Sequence, residues 1–257
     1  MKRTANTILV TGGGSGIGAA LAQRLADRGN TVIVAGRRRD ALAQVCAGRA
    51  AMHAMVLDIT DPAAIAGFAR AITAAHPALN VLVNNAGIMK FEDLASQRDL
   101  ADAEATIITN LLGPIRLTDA LIDHLCARPD AALINVTSGL GFVPMTAAPT
   151  YSATNAALHS YTVSLRAALA GKVEVIELPP PAVQTALTPG QETRPGYQPL
   201  DAFADEVIAL LDSAPAAPEL LVETVKFLRF AEAENRFEPT LKALNERAAA
   251  ARAAQQT

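Results

Sequence analysis

Five residues, Thr7 to Thr11 (TILVT), run without a break into Gly12-Gly13-Gly14-Ser15-Gly16-Ile17-Gly18. The helical pattern AALAQRLADR follows and stops at Gly29, a residue suited to the end of a helix. Strand, glycine loop and helix in this order constrain the fold more than any other part of the chain. A short β-branched, apolar run bounded by turn residues reads as a strand buried on both faces. The glycines permit a tight turn and a close approach of backbone to a pyrophosphate, which then rests on the helix N-terminus. A glycine-rich turn with no ligand is the plainer alternative, and the motifs downstream argue against it.

The alternation continues along the chain. Residues 31–35 (TVIVA), 51–57, 81–83, 132–138 and 173–178 read as further strands, with helical patterns between them. Residues 218–222 are a candidate seventh. Strands alternating with helices predict a Rossmann-type, doubly wound parallel sheet of about seven strands with helices on both faces. With 257 residues, 51% of them hydrophobic, the chain can cover both faces of such a sheet as a single domain, residues 1–257. Asp61 or Thr60 followed by Pro62 marks a helix start. Gly113-Pro114 interrupts the pattern over 98–127, where proline predicts a kink.

The end of the second strand selects between cofactors. A site for NAD places a carboxylate there to bind both adenosine-ribose hydroxyls. This chain has Gly36 and then Arg37-Arg38-Arg39. Gly36 leaves space and Arg37 offers a planar donor fork suited to a 2′-phosphate, with Arg38 either assisting or opening the next helix. The expected cofactor is therefore NADP(H).

Four further motifs complete a pattern. Asn84-Asn85-Ala86-Gly87 closes the fourth strand, Asn110 precedes the proline kink, and Ser138 ends the fifth strand. Tyr151 opens a helical stretch with Asn155 four residues on, on the same helix face. With the spacing Thr11-Gly12-x-x-x-Gly16-x-Gly18, these motifs resemble the short-chain dehydrogenase/reductase family over nearly the whole chain. The resemblance implies a catalytic pair, Ser138 and Tyr151, with Asn110 and Asn155 completing the active site. It implies that Gly12, Gly14, Ser15, Gly16, Ile17 and Gly18 cradle the pyrophosphate. Asp58 would bond the adenine amino group and the backbone at Ile59 would cover the ring. Asn84 would brace the sheet, while Ala86 and Gly87 pack on the adenosine ribose. Pro181, Val183 and Thr185, in Pro-Pro-x-x-x-Thr, would lie over the nicotinamide, and Asn110, Tyr151 and Asn155 would complete its contacts.

One residue departs from the family. Its pattern is Tyr-x-x-x-Lys, and Asn155 stands where the lysine belongs. A tyrosine hydroxyl titrates near 10, and without an ammonium beside it the proton relay is weakened. Two readings follow: an NADP(H)-dependent oxidoreductase acting on a carbonyl, alcohol or related C=X group, or an NADP-binding protein of this fold with non-redox or no catalytic activity. Phe142, Val143, Pro144 and Met145 are expected at an apolar substrate rim, facing a lid over residues 186–200, and the tail 248–257 is expected to fray. A net charge of −3 argues against nucleic acid and acidic membranes as partners. Cys46 and Cys126 lie too far apart in helical patterns to form a metal or disulfide framework, so no metal is expected. The amino end lacks the apolar stretch of a signal peptide, and no run is long enough to span a bilayer, so a soluble, cytoplasmic protein is expected. By resemblance it is a homodimer or homotetramer.

Overall fold

The computed structural model describes residues 1–213 and 217–253. β1 (Thr7–Thr11) passes through the glycine loop into α1 (Gly16–Asp27); β2 (Thr31–Gly36), α2 (Arg39–Cys46), β3 (Met52–Val56), α3 (Pro62–Ala75) and β4 (Leu79–Asn84) follow. Next come α4 (Ala101–Ile107), α5 (Gly113–Cys126), β5 (Ala132–Val136), α6 (Pro149–Ala168) and β6 (Glu174–Leu178). α7 (Leu200–Ser213), α8 (Glu223–Arg229) and α9 (Phe237–Ala253) complete the described chain. All strand pairs are parallel, in the order β3-β2-β1-β4-β5-β6. The order reverses direction between β1 and β4, and a doubly wound sheet opens a crevice beyond the strand ends at that switch point.

Alternation along each strand feeds two cores, one on each face. Ile8, Val10, Val32 and Val34 pack with Leu21 and Leu25 of α1 and Phe203 and Val207 of α7. Leu9, Ile33 and Leu82 face the other way, onto Ile65, Phe68 and Ile72 of α3 and Leu117 and Leu121 of α5. Cys46 and Cys126 are half-buried free thiols at the margins of these cores. Asp61 caps α3 by accepting from the Ala63 amide at 2.8 Å, with Pro62 at its first position.

One expectation is corrected. The sheet has six strands, since residues 218–222 reach β6 through a single bridge, Glu177 to Glu219. Only the Pro218 carbonyl and the Leu220 amide bond to it, at 3.0 and 2.8 Å, before α8 begins at Glu223. Pro218 has no N–H to extend the ladder. The interruption expected at Gly113-Pro114 takes the form of a π-helical turn over Ile108–Leu112, which runs directly into α5 with Pro114 in its first turn. α9 extends to Ala253, and 254–257 of the expected frayed tail lie outside the described residues. Among the described residues no helix is long and apolar enough to cross a membrane.

Candidate active site

A cavity of about 770 Å³ lies beyond the ends of β1 and β4. Every catalytic and cofactor-binding residue named from the sequence borders it except Gly18. Gly18 serves packing instead: a Cβ there would sit 2.4 Å from Asn85 Nδ2 and 2.6 Å from the Gly12 carbonyl oxygen. Gly12, with φ of +65°, is similarly confined by the Ala86 backbone at 2.8 Å. The first turn of α1 is thus pressed onto the end of β4. Thr11 ties the two together, its hydroxyl accepting from the Asn85 and Ala86 amides at 3.0 and 3.1 Å. Asn85 adds a side-chain bond to the Thr11 carbonyl at 2.9 Å. Sequence reasoning gave the bracing role to Asn84 and overlooked that of Asn85. Asn84 does brace the sheet, through Asn135 at 2.9 Å and Thr118 at 3.1 Å, and its own Oδ1 is buried without a partner.

At one end of the cavity α1 begins at Gly16 with no acidic residue in its first turn and no side-chain cap from Ser15. Its free amides and partial positive charge can therefore receive an anion. Ser15 Oγ instead accepts from Arg38 Nη2 at 3.2 Å, which draws a guanidinium over the loop. Arg38 also occupies the N-cap position of α2, which meets the expectation that it opens that helix. The nearest atom to a Cβ at Gly36 would be Leu42 Cδ2 at 3.7 Å, so space remains beside Arg37. Asp58 Oδ1 accepts from the amide and hydroxyl of Thr60 at 2.9 and 2.7 Å. Those bonds, with a smaller contribution from Arg37, hold its carboxyl below the usual range.

At the other end Ser138, Tyr151 and Asn155 converge. Ser138 caps a short turn, Gly139–Gly141, accepting from the Leu140 amide at 3.1 Å. Gly141 lets α6 approach closely, since a Cβ there would stand 3.0 Å from the Asn155 carbonyl carbon. Burial pushes the Tyr151 hydroxyl above its ordinary value, and hydrogen bonds with Ser138 and Asn155 offset that only in part. Asn155 is nearly buried, and its Nδ2 donates to the Tyr151 carbonyl at 2.9 Å. Asn110, in the π turn, clamps Ile88 from both sides: Oδ1 accepts from its amide at 2.9 Å and Nδ2 donates to its carbonyl at 2.8 Å. Gly87 and Ile88 are thereby held against the cavity.

The apolar rim differs from expectation. Phe142, Val143, Pro144 and Met145 do not border the cavity. Val143 and Met145 are buried, and the Phe142 ring stands edge-on to His159 with Arg229 over its face. Met89, Lys90, Phe91 and Leu187 line the cavity instead. Nothing in the bare sequence distinguished 88–91 from an ordinary loop. Within 186–200, Gln191 is buried and bonds the Val183 carbonyl at 2.8 Å and the Thr185 hydroxyl at 3.2 Å.

The profile of the family described as short chain dehydrogenase matches residues 6–195. The chain belongs to that family. Among similar proteins, this short chain dehydrogenase is 40% identical over 199 residues to the uncharacterized oxidoreductase DltE of Bacillus subtilis, covering 76% of this chain and 79% of the relative. It is 33% identical over 186 residues to sulfoacetaldehyde reductase 2 of Chromohalobacter salexigens, covering 70% and 74%. Among solved structures, a short chain dehydrogenase from Burkholderia cenocepacia in complex with NADP superposes with a TM-score of 0.80 at 26% identity, covering 96% of this chain and 98% of the other. The Rossmann-type assignment and the oxidoreductase family read from the motifs are thus both met.

Proposed function

We propose that the chain is an NADP(H)-dependent oxidoreductase for a carbonyl, alcohol or related C=X group, working best in the direction of reduction. The observation that carries this reading is the convergence of Ser138, Tyr151 and Asn155 at one end of a cavity whose other end presents Arg37, Arg38 and the uncapped N-terminus of α1. The donor set fits a dinucleotide with a 2′-phosphate: backbone amides for the pyrophosphate, space at Gly36 and guanidinium groups for the extra charge. Arg37 and Arg38 would hold the phosphate, Asp58 and Ile59 the adenine, Ala86 and Gly87 the ribose, and Pro181, Val183 and Thr185 the nicotinamide side. The solved NADP complex of a similar short chain dehydrogenase supports the choice of cofactor.

Hydride delivery to carbon is the chemistry that a bound nicotinamide supplies. The chain's own residues manage the oxygen. Ser138 donates to the substrate oxygen, and Tyr151 gives it a proton. Burial favours the protonated phenol, which is the form that reduction needs and that oxidation does not. Asn155 adds no charge, and its amide, shared between the phenol and the Tyr151 carbonyl, replaces the ammonium only in part, so the relay behind Tyr151 is weakened. Asn110 acts by fixing the loop after β4. We read the chain as one domain, residues 186–200 as its substrate lid, and the assembly as a homodimer or homotetramer.

A second reading draws on the same Asn155 bond: a family member that binds NADP without turnover. NADPH oxidation, followed by nicotinamide absorbance over a panel of ketones, imines and enones, separates the two. Turnover abolished by Tyr151→Phe supports the reductase. NADPH binding with no turnover across the panel, in this chain and in Asn155→Lys, supports the second reading.

A further inference from the structure

Behind the acid pair lies a polar circuit that its chemistry does not use. Glu177, on β6 between the apolar residues Ile176 and Leu178, is fully buried. An ionised carboxylate there costs several kcal/mol unless it is bonded. Oε1 accepts from the Thr137 hydroxyl at 2.7 Å, and Oε2 lies 2.7 Å from His159 Nδ1. Thr137 immediately precedes Ser138, and His159 lies on α6 two turns beyond Tyr151.

The circuit then closes on itself. The His159 ring meets Phe142 edge-on at 5.1 Å, and Phe142 follows the turn that Ser138 caps. Arg229 lies 4.8 Å over the Phe142 ring and donates to Glu219 through Nε at 2.9 Å and Nη2 at 3.0 Å. Glu219 returns to Glu177 through the backbone bridge beside β6. The ligand atoms of His159, Glu177 and Glu219 lie within 4.8 Å of one another, as in a metal site. However, Arg229 engages both oxygens of Glu219, and a cation would have to displace it.

We propose that Glu177 is a positioning residue: a single carboxylate that fixes the strand end carrying Ser138 against the helix carrying Tyr151. This rests on reading Ser138 and Tyr151 as the acid pair. Each of its two oxygens holds one of the two elements, so losing either bond frees one partner of the pair from the other. Phe142 and Arg229 cap the circuit from outside.

The test uses Thr137→Val, which keeps the β-branched shape and deletes one bond, with Thr137→Ser as its rescue. Glu177→Gln keeps the shape and both contacts if His159 accepts at Nδ1, whereas Glu177→Leu keeps neither. Tyrosinate absorbance of the unliganded protein is titrated with pH, and Tyr151 is isolated from the other two of the 3 tyrosines by subtracting the Tyr151→Phe variant. In Thr137→Val the Tyr151 midpoint is expected to rise as Ser138 loosens, kcat to fall by about tenfold or more, and NADPH affinity to stay unchanged. Thr137→Ser and Glu177→Gln should return toward the parent. A folded Thr137→Val or Glu177→Leu protein whose midpoint matches the parent overturns the proposal. The titration needs no substrate, so it decides this point even if no carbonyl is turned over and the reductase reading fails.

Discussion

Asn155→Lys is the perturbation that bears most directly on the proposed chemistry. Lysine shares the Cβ of asparagine, so the close packing of Gly141 on the Asn155 backbone is unaltered. The bonds lost are the donation to the Tyr151 carbonyl, which α6 does not need, and the contact with the phenol, which the ammonium's field more than replaces, and lysine is the better helix former. Because Asn155 borders the cavity, the longer side chain has somewhere to go. An ammonium roughly 6 Å from the phenol, at an effective dielectric of about 20, is worth on the order of 2–3 kcal/mol, or about two pKa units. At present burial raises the Tyr151 pKa and only neutral groups oppose it. The ammonium therefore brings the titration down, increasing the tyrosinate fraction at neutral pH by about 10²-fold. Alcohol oxidation, which needs tyrosinate, is expected to gain by about that factor, and ketone reduction by about tenfold, within the usual range of acid–base assistance. The assay is initial rate against pH in both directions, with Tyr151→Phe in the lysine background as control. The oxidation profile should move to lower pH. A folded lysine variant with unchanged rates and an unmoved profile refutes this account of the relay. A lower rate on the best substrate refutes it too, and assigns Asn155 to a specialised mechanism.

Other consequences are equally direct. Calorimetry is expected to show NADP(H) binding at least about tenfold tighter than NAD(H), roughly 1.4 kcal/mol, with Arg37→Ala erasing most of the gap; equal affinities in the parent protein would falsify the assignment. Gly141→Ala places a methyl 3.0 Å from the Asn155 carbonyl carbon and 3.1 Å from the Ala156 nitrogen, backbone atoms that cannot turn aside. Thermal or denaturant unfolding should show a loss of about 1–3 kcal/mol, typical of overpacking. At Glu92, burial would raise the carboxyl, but bonds from Thr150 and Arg98 outweigh it and hold the pKa below the ordinary 4.5. The stabilisation is then complete above pH 4.5 and is lost as pH falls through the depressed folded value. Glu92→Gln should flatten that acid limb of the stability profile, and an identical limb in the two proteins would count against the ion pair.

How much of this was legible beforehand depends on whether a residue's role is local. The glycine loop, β1 and the capped start of α3 follow from turn chemistry and short-range periodicity, and each stands where those rules place it. Residues 218–222 have strand composition, but a strand is defined by its partner, and only one residue pair there finds β6. The π turn at Ile108–Leu112 was hidden because a proline two residues later offered a sufficient local reason for a bend. Phe142 shows the limit most clearly. Beside Ser138 in sequence, in a glycine-rich loop, it has the look of a substrate contact. What turns it away is Arg229 above its ring and His159 at its edge, two residues at least 17 positions distant along the chain. The same cause conceals Glu177. A charged residue in the sixth strand reads as an interruption of an apolar run until Thr137, His159 and the bridge to Glu219 are brought around it in space. The cavity residues that declared themselves did so through motifs, because their partners lie close in sequence or belong to a recurring ligand, whereas 88–91 carry no such motif. Residues that would hold those residues in place do so through contacts between elements, and only the folded chain makes those contacts visible.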